Sequence, residues 1–163
     1  DYARFYVLET VARVPYFSFV SVLHLYETIG LWRKADYLET HFGQTMNEYH
    51  HLLIMEDLGG DKRFIDRFVA QHIAFFYYWI TCLIYMASPC MAYNLSEQIE
   101  EHAYHTYDEF LKNHKTSLSL EKAPVVASDY YDDVQNLYDV FTRVRDDEGE
   151  HVKTMQECQI DLA

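Results

Sequence analysis

The sequence predicts an all-α protein of one domain, and three observations lead to this class. The chain has 163 residues, which is enough for one compact domain with a sizeable core. Glycine and proline are scarce, with 5 and 3 residues, which argues against the many tight turns of a β-sandwich or barrel. Apolar residues recur at helical spacing between these few breakers. We therefore expect a single helical domain over residues 1–163.

The predicted helices follow from the apolar spacing and from the residues that interrupt it. Pro15 is expected to kink or split the first helix, because its ring and its missing N–H disturb a helix interior. Gly30 is expected to end that helix. Asp61 is the predicted N-cap of the third helix, which Ser88-Pro89 ends. The predicted helices cover residues 2–29, 32–58, 61–87, 91–112 and 133–158, with a loop at 114–128.

The chain is acidic, with 13 basic and 26 acidic side chains and a formal net charge of −13. This charge repels a phosphate backbone, so we expect no nucleic-acid partner. The three cysteines, Cys82, Cys90 and Cys158, form no C-x-x-C pair, which predicts neither a disulfide framework nor a structural zinc site and favours a reducing compartment. The sequence starts at Asp1 inside a helical pattern, so we expect that an N-terminal region is missing from it.

The tetrapeptide Glu-x-x-His occurs twice, at Glu48/His51 and at Glu148/His151. Residues three positions apart share one helix face, so each pair directs a carboxylate and an imidazole to the same point. The numbers of Glu and His in the chain predict about one such pair by chance, so the motif alone is weak evidence. The positions of the two pairs, on the second and fifth predicted helices, make the observation stronger.

A single glutamate interrupts the apolar face of two other predicted helices, at Glu9 and Glu100. Residues three, four and seven positions away share a helix face. The neighbours on this face are mostly apolar or aromatic for all four glutamates, so the four carboxylates are predicted to point inward. These neighbours are Phe5, Ala12 and Tyr16 for Glu9; Gln44, His51 and Met55 for Glu48; Tyr93, Ala103 and Tyr107 for Glu100; and Phe141, Val144, His151 and Met155 for Glu148.

Four buried carboxylates need a compensating positive charge, because they repel one another and lose their hydration. Two divalent irons bring four positive charges, and two imidazoles complete the ligand set that is known from ferritin-like di-iron bundles. Carboxylate and imidazole ligands suit iron or manganese, whereas structural zinc sites more often use thiolates. We therefore predict a ferritin-like four-helix bundle with a di-iron centre. Its predicted metal ligands are Glu9, Glu48, His51, Glu100, Glu148 and His151.

The alternative interpretation of each Glu-x-x-His pair is an ordinary solvated helix face, where most glutamates lie. The remaining histidines are not predicted as ligands. His24 and His72 lie among apolar residues and are expected to be buried core residues with satisfied hydrogen bonds. Positions at the surface or beside the ligands are expected for His41, His50, His102, His105 and His114.

Four segments that contain the predicted ligands resemble the alternative oxidase family. They are VLET at 7–10, NEYHHL at 47–52, IEEHAY at 99–104 and RDDEGEH at 145–151. The segments agree with the family in order and spacing, and the resemblance extends over essentially the whole chain. The longer runs ARVPYFSFVSVLH, NEYHHLLIMEDLGG, AQHIAFFYYW and RDDEGEHVKTM are most similar to its plastid terminal oxidase branch.

The resemblance implies a non-haem di-iron quinol oxidase with two iron ions as cofactors. Such an enzyme oxidises plastoquinol or ubiquinol and reduces O2 to water without proton pumping. The resemblance also implies a homodimer that associates with one face of a membrane. The implied location is the thylakoid membrane of a chloroplast or a cyanobacterium, ahead of the mitochondrial inner membrane.

The resemblance assigns roles to residues beside the predicted ligands as well. Tyr107 matches the family's tyrosine next to the metal centre, and its implied role is catalytic; the alternative is an ordinary core tyrosine. Asn47 and Asp147 each precede a Glu-x-x-His glutamate and match residues that orient imidazoles. Four further residues match the family's quinol pocket, namely Arg4, Leu8, Ala103 and Thr106.

Residues 68–96 contain no Asp, Glu, Lys or Arg. A helix over 68–87 has a length of about 30 Å, which is also the thickness of a bilayer core. A single crossing there would place the first three predicted ligands on one side of the membrane and the other three on the opposite side. We therefore expect an additional apolar helix outside the bundle. Part of its aromatic face is predicted to lie at the membrane interface or against a second subunit, namely Phe75, Phe76, Tyr78 and Trp79.

Three other functions use some of the same features. A ferritin-like iron-handling protein uses the same ligands without a quinol, although an uncharged stretch at 68–96 fits poorly with the hydrophilic exterior of a cage. Another di-iron oxygenase, such as a quinone-ring hydroxylase or a desaturase, uses O2 to oxidise an organic substrate. The histidine boxes of membrane desaturases are missing here. A metal-free structural bundle is the third alternative.

Overall fold

The computed structural model describes residues 2–163 and confirms the all-α prediction. Within these residues the only β-type pairing is an isolated antiparallel bridge between Lys122 and Asn136. The helices are α1 (Ala3–Ala12), α2 (Val14–Thr28), α3 (Ala35–Asp57), α4 (Phe64–Ala87), α5 (Pro89–Leu120), α6 (Val125–Tyr130) and α7 (Leu137–Leu162).

Four helical rods form the bundle, and α4 packs against its side. The first rod consists of α1 followed directly by α2, and it packs along α3, while α5 packs along α7. Helix α4 contacts α1, α2 and α5 from outside. This arrangement confirms the prediction of a helical bundle with one additional apolar helix.

Pro15 divides the first predicted helix, as expected. It occupies the first turn of α2, where a missing N–H leaves no intrahelical hydrogen bond unmade. Arg13, between the two helices, keeps helical backbone angles, with φ −69° and ψ −20°. The chain therefore continues in nearly the same direction, and α1 and α2 act as one rod.

The predicted loop at 114–128 is wrong over most of its length, because α5 includes residues 114–120, α6 begins at Val125, and only residues 121–124 lie outside a helix. Helix α5 continues to Leu120, and its backbone leaves helical geometry only at His114, with φ −128° and ψ 19°. No glycine or proline interrupts the chain between position 112 and Pro124, and Leu118 is buried in the core. Burial of this leucine favours a further helical segment although the surrounding residues are polar.

Two other boundaries differ from the prediction for local reasons. Asp61 is not the N-cap of α4, because the helix begins at Phe64 and Arg63 precedes it in an extended conformation. Helix α7 begins at Leu137 rather than at 133. Asn136 is its N-cap, and the side chain of Asn136 accepts a hydrogen bond from the backbone N–H of Asp139 at 2.9 Å.

Glycines allow two sharp turns and one close helix contact. Gly30 and Gly59 have φ values of +76° and +85° at the ends of α2 and α3, where a side chain would be strained. A Cβ at Gly60 would lie 2.8 Å from both the carbonyl oxygen of Tyr2 and the Cβ of Tyr6. Only glycine at this position lets the start of α1 pack closely on the end of α3.

The hydrophobic core consists of two clusters at opposite ends of the bundle. One end, which we call the Phe5 end, includes Phe5, Tyr107, Phe110 and Phe141. The other end, which we call the Tyr93 end, includes Tyr93 and neighbouring aromatic residues from α2, α3 and α4. Along each rod the predicted metal ligands lie between the residues of these two clusters. A polar layer therefore crosses the middle of the bundle.

Helix α4 leaves most of its apolar side chains exposed. By length and composition it is long and apolar enough to cross a membrane, and it is the one such helix among residues 2–163. Its exposed large apolar residues are Phe64, Ile65, Phe68, Val69, Ile73, Phe75, Phe76, Trp79, Ile80, Leu83 and Met86.

The prediction that His24 and His72 are core residues is wrong, since both are exposed. His24 lies on α2 next to Leu25, on a surface that also includes part of α4. His72 is on the outer side of α4, where its Nδ1 lies 2.8 Å from the carbonyl oxygen of Phe68. Apolar neighbours in the sequence indicated burial, but these neighbours themselves face outward.

Candidate metal centre

The structure brings all six predicted ligands together in the polar layer. Each rod contributes side chains from its inward-facing side. Helices α1 and α5 contribute one glutamate each, and helices α3 and α7 contribute one Glu-x-x-His pair each. All six side chains are buried, and the most exposed of them, His151, has a relative exposure of 6%. The predicted ligands are Glu9, Glu48, His51, Glu100, Glu148 and His151.

The first group of potential ligand atoms surrounds Nδ1 of His51. This nitrogen lies 3.0 Å from Oε1 of Glu148, 3.4 Å from Oε2 of Glu48 and 3.6 Å from Oε2 of Glu9. One ligand atom from each of these four residues falls within 4.8 Å of the others. Such a group is compact enough for all four residues to contact a single ion.

The second group surrounds Nδ1 of His151 and shares two residues with the first. This nitrogen lies 2.8 Å from Oε1 of Glu48, 3.7 Å from Oε2 of Glu100 and 3.8 Å from Oε2 of Glu148. Its ligand atoms also lie within 4.8 Å of one another. Because Glu48 and Glu148 belong to both groups, the donor set fits two neighbouring ions with two shared carboxylates.

The hydrogen-bonding state of these atoms is a test of whether metal ions fit the site. Buried polar atoms in proteins are nearly always hydrogen-bonded, because an unpaired one is costly. Here eight buried donor or acceptor atoms of the six side chains have no hydrogen-bond partner, and all belong to the two groups. They are Glu9 Oε2, Glu48 Oε1 and Oε2, His51 Nδ1, Glu100 Oε2, Glu148 Oε1 and Oε2, and His151 Nδ1. Metal coordination would satisfy them, so the residues fit a di-metal centre.

The pKa values of the glutamates show that the metal-free cluster has an excess of negative charge. Burial and the nearby Glu48 raise the pKa of Glu9 to about 8. Burial, together with Glu48 and Glu100, also raises the pKa of Glu148 well above its ordinary value. Burial opposes ionisation of Glu48 as well, but the two cluster histidines outweigh it and hold the pKa of Glu48 well below its ordinary value. Without metal ions, bound protons compensate part of the negative charge of the carboxylates.

The two imidazoles also compensate part of the negative charge of the carboxylates. Burial lowers the pKa of His51, but Tyr131 and Glu9 outweigh this effect and hold the pKa well above its ordinary value. Burial likewise lowers the pKa of His151, and the carboxylates, above all Glu48, raise it well above the ordinary value. In the metal-free cluster the neighbouring carboxylates therefore favour the protonated form of both rings.

Asp147 contacts His51 from the side opposite to the cluster. Its Oδ2 lies 2.9 Å from Nε2 of His51, accepts a hydrogen bond from Nδ2 of Asn47 at 3.0 Å and also accepts one from the hydroxyl of Tyr131. Contact with Nε2 leaves Nδ1 directed at the cluster. Asn47 acts differently from its predicted role, since it contacts Asp147 and the hydroxyl of Tyr130 rather than an imidazole.

Two tyrosine hydroxyls donate to the cluster from opposite ends. Tyr107 donates to Oε1 of Glu9, and Tyr16 donates to Oε1 of Glu100 at 2.8 Å. Burial and the adjacent carboxylates hold the pKa of both phenols well above their ordinary value. The sequence predicts Tyr16 only as a core neighbour of Glu9. Its position seven residues after Glu9, on the same face, was the available signal.

A cavity of about 530 Å³ opens beside the Phe5 end of the cluster. Three of the four residues predicted for substrate binding line it, namely Arg4, Leu8 and Thr106. Ala103 does not line this cavity and is buried, with a relative exposure of 1%. The complete lining is Arg4, Phe5, Leu8, His102, Thr106, Glu109, Phe110, Asn113 and His114.

Only a thin wall of side chains separates the cavity from the cluster. Phe5, in the cavity wall, stacks on Tyr107 with ring centroids 4.9 Å apart, and Tyr107 donates to Glu9. The guanidinium of Arg4 lies 4.7 Å from the Phe5 ring centroid and 5.7 Å from that of Phe110. A planar molecule in the cavity would therefore lie next to aromatic and cationic groups and close to the cluster.

Four carboxylates and two imidazoles that converge from four rods are the donor set that is typical of di-metal carboxylate bundles. The alternative oxidase family model matches residues 1–159. The chain is 54% identical, over 97% of its length, to ubiquinol oxidase 4, chloroplastic/chromoplastic, of Arabidopsis thaliana. It is also 33% identical, over 91% of its length, to ubiquinol oxidase 2, mitochondrial, of the same plant. The chain belongs to the alternative oxidase family.

The chain spans about half the length of the curated relatives it matches. It covers 51% of the chloroplastic protein and 42% of the mitochondrial one from Arabidopsis thaliana. The mitochondrial ubiquinol oxidase of Mangifera indica is 30% identical, with 91% of this chain and 47% of that protein covered.

Proposed function

We propose that this chain is the catalytic core of a quinol:oxygen oxidoreductase that oxidises plastoquinol or ubiquinol and reduces O2 to water without proton pumping. The observation that carries the proposal is the convergence of the six buried side chains with their eight unpartnered atoms. Family membership and relatives that are named ubiquinol oxidases support it.

Two iron ions are the proposed cofactors. Glu9, Glu48, His51 and Glu148 would hold one ion, and Glu48, Glu100, Glu148 and His151 the other. The redox chemistry of dioxygen reduction is supplied by the irons when they are bound. The surrounding protein keeps water away from this chemistry, since the ligand carboxylates have relative exposures of 0–1%.

The proposed quinol site is the cavity at the Phe5 end. The Arg4 guanidinium can donate a hydrogen bond to a quinol oxygen, and Leu8, Thr106 and the aromatic wall can hold the ring and the start of its tail. Ala103 lies buried on the same helix and is proposed to shape this wall from behind.

Tyr107 is the proposed catalytic residue between the cavity and the metal ligands. Its ring contacts the cavity wall through Phe5, and its hydroxyl holds a proton at Oε1 of Glu9. An electron that leaves the quinol through this phenol can be accompanied by a proton that already has a hydrogen-bonded acceptor.

The outer face of α4 is the proposed membrane surface. A chain with a net charge of −13 is poorly suited to anionic lipid, so the attachment would depend on the exposed apolar side chains of α4. Because the residues before and after α4 meet in one cluster, α4 would lie on the membrane or against a second subunit of a homodimer. The plastid relative favours a thylakoid location.

Oxygen consumption by the membrane-reconstituted full-length protein tests the proposed function. We expect cyanide-insensitive O2 uptake with plastoquinol or ubiquinol analogues, two irons per chain, and loss of uptake in Glu148→Ala. Iron bound far above two per chain without quinol-dependent uptake would instead indicate iron storage. Incorporation of labelled oxygen into the quinone rather than into water would indicate a ring hydroxylase.

A further inference from the structure

A row of oxidisable side chains leads away from the cluster at the end opposite to the cavity. We call it the aromatic row, and it consists of Tyr16, Tyr93, Tyr37 and Trp32. Tyr16 begins the row, with its ring centroid 5.4 Å from that of His151. His41 lies between Tyr16 and Tyr93, with ring centroids 6.3 Å and 5.3 Å away. The first two members are therefore joined through a third ring.

The outer half of the aromatic row reaches the protein surface. Tyr93 and Tyr37 have ring centroids 6.0 Å apart, and Tyr37 and Trp32 have centroids 6.3 Å apart. Tyr16 and Tyr93 are fully buried, Tyr37 has a relative exposure of 6%, and Trp32 is half-buried in the connection between α2 and α3. Exposure therefore increases along the row.

Each tyrosine of the row donates its hydroxyl proton to a separate acceptor. Tyr16 donates to Oε1 of Glu100 at 2.8 Å, and Tyr37 donates to the exposed carboxylate of Asp161. The hydroxyl of Tyr93 lies 2.8 Å from Nε2 of His41. Three tyrosines with three hydrogen-bonded acceptors are the pattern that proton-coupled oxidation requires, because an oxidised phenol is a strong acid.

His41 is a suitable acceptor for the proton of Tyr93. Its Nδ1 lies 2.7 Å from Oε1 of Gln44, which can only accept, so Nδ1 carries the hydrogen and Nε2 is free to accept. Burial lowers the pKa of His41 to about 4, so the ring is neutral near pH 7. Tyr93 therefore donates to a neutral base, and its own burial raises its pKa and keeps it protonated until it is oxidised.

We propose that the aromatic row carries single electrons from the protein surface to the metal centre when the cavity holds no quinol. The inference rests on the proposed function, because dioxygen at a reduced metal centre is the oxidant. The cavity and Tyr107 lie at the Phe5 end, whereas the row runs through the Tyr93 end. The row is thus a separate path from the one that quinol would use, and it protects the ligands from oxidation.

The first exchange balances electrons and protons inside the core. Tyr16 gives one electron to the oxidised metal centre and its phenolic proton to Oε1 of Glu100. Tyr93 then gives one electron to the Tyr16 radical, and the proton on Glu100 returns to Tyr16. The phenolic proton of Tyr93 passes to Nε2 of His41. The radical has moved one step outward.

The second exchange brings the radical to the surface. Tyr37 gives one electron to the Tyr93 radical and its proton to Asp161, while the proton on His41 returns to Tyr93. Trp32 next gives one electron to the Tyr37 radical, whose proton returns from Asp161, and loses its indole proton to water. A soluble reductant of the thiol or ascorbate class then restores Trp32 with one electron and one proton and is itself oxidised.

Radical detection in the iron-loaded full-length protein tests the path. The protein is loaded with ferrous iron and exposed to air without quinol, then analysed by rapid-freeze electron paramagnetic resonance and by peptide mass spectrometry for oxidised side chains. We expect a tyrosyl radical and oxidation products at Tyr37 and Trp32 in the wild type. Addition of a quinol analogue should suppress both.

Two variants interrupt the aromatic row at different points. Tyr93→Phe should lose the products at Tyr37 and Trp32, while Trp32→Phe, which leaves the His41 contacts intact, should retain products at Tyr37 alone. Tyr138→Phe, a half-buried tyrosine of α7 outside the row, is the matched control and should behave as the wild type. Equal products at Tyr37 and Trp32 in the wild type and in Tyr93→Phe would show attack by a diffusing oxidant and overturn the proposal.

A metal-free measurement separates this inference from the proposed function. In metal-free full-length protein in which Trp79 and any tryptophan outside residues 1–163 are replaced by Phe, pulsed azide radical oxidises the indole of Trp32. We expect its indolyl absorbance to decay as a tyrosyl absorbance grows, because an electron passes from Tyr37 to Trp32 in the reverse of the proposed step and through the same contact. This transfer should be lost in a further Tyr37→Phe variant. Electron transfer between Trp32 and Tyr37 without quinol-dependent O2 uptake would support the path and refute the oxidase function. Uptake without transfer would refute the path alone.

Discussion

Glu148 belongs to both groups of potential ligands, and its two oxygens have no hydrogen-bond partner. We expect Glu148→Gln to lose iron binding, because a neutral amide replaces a shared anionic ligand. In the metal-free protein the pKa of Glu148 is raised, so its carboxylate must take up a proton on folding; the amide avoids this cost, and the free energy of unfolding near pH 7 should rise by about 1 kcal/mol. Thermal unfolding with and without ferrous iron, under anaerobic conditions, measures both effects.

Glu150→Gln is the matched control for this experiment, since Glu150 lies on the same helix and is exposed. It should bind iron as the wild type does and change the stability little. A Glu148→Gln protein that is less stable without metal, or that still gains stability from iron, would contradict a metal-ligand role for Glu148.

The acid stability of the protein should depend on His41. Burial lowers the pKa of His41 to about 4, against about 6.5 in an unfolded chain. Below pH 6.5 the unfolded chain takes up a proton on His41 that the folded one does not. The contribution of His41 to the free energy of unfolding is therefore fully present above pH 6.5 and is lost as the pH falls towards 4. The full loss is about 3 kcal/mol. Denaturant unfolding at pH 7 and at pH 5 measures it.

A His41→Gln variant isolates this contribution from that of the metal ligands, which titrate equally in both proteins. Its stability should be lower than that of the wild type at pH 7, and the difference should narrow at pH 5. His105→Gln, at an exposed position of α5, should show no such narrowing. A constant difference between the two pH values for His41→Gln would mean that His41 is charged in the folded protein.

The spacing of residues within one helix is what made the cluster predictable. Glu148 and His151 share a face whatever the rest of the chain does, and the same holds for Glu48 and His51. Contacts between distant segments leave no such pattern. The hydrogen bond of Tyr16 to Glu100 joins residues 84 positions apart, and that of Tyr93 to His41 joins residues 52 positions apart. The sequence alone therefore predicted which six side chains converge, but not the tyrosine contacts around them.

At the scale of single helices, the start of α7 depends on one side chain. Asn136 accepts a hydrogen bond from the N–H of Asp139 at the first turn. We expect Asn136→Ala to lower the free energy of unfolding by about 1 kcal/mol, because this N–H loses its partner. Asn136→Ser should restore most of the loss, since serine caps nearly as well. Chemical denaturation of the three proteins tests it, and equal stability of the Ala and Ser variants would exclude a capping role.

Helix identity was easier to predict than helix limits. Strong breakers defined the end of α4 at Ser88-Pro89, where the structure ends it as well. The polar segment after position 112 gave no such signal, and the buried Leu118 decides that α5 continues. The outward orientation of α4 could not be predicted from its composition either, because the sequence pattern of an apolar helix is the same whether other helices or a membrane cover it.

At the scale of the whole molecule, each of the four rods contributes at least one proposed ligand to the cluster, so bound metal ions would connect all four. We expect removal of the metal ions to lower the thermal unfolding midpoint. Ligand present at about 100 times its dissociation constant adds about 2.7 kcal/mol, and for a chain of this size each kcal/mol corresponds to roughly 2–4 °C. Calorimetry before and after chelation measures the shift. An unchanged midpoint after complete iron removal would contradict a site shared by all four rods.

The polar layer also separates the Phe5 end from the Tyr93 end, and no cluster of apolar residues extends across it. Substitutions at one end therefore have few direct contacts through which to disturb the other. Side chains that line the cavity can therefore change, and with them the shape and polarity of what the cavity accepts, while the other end of the interior stays the same. Such a division lets one architecture take up different ligands without rebuilding the buried carboxylate cluster.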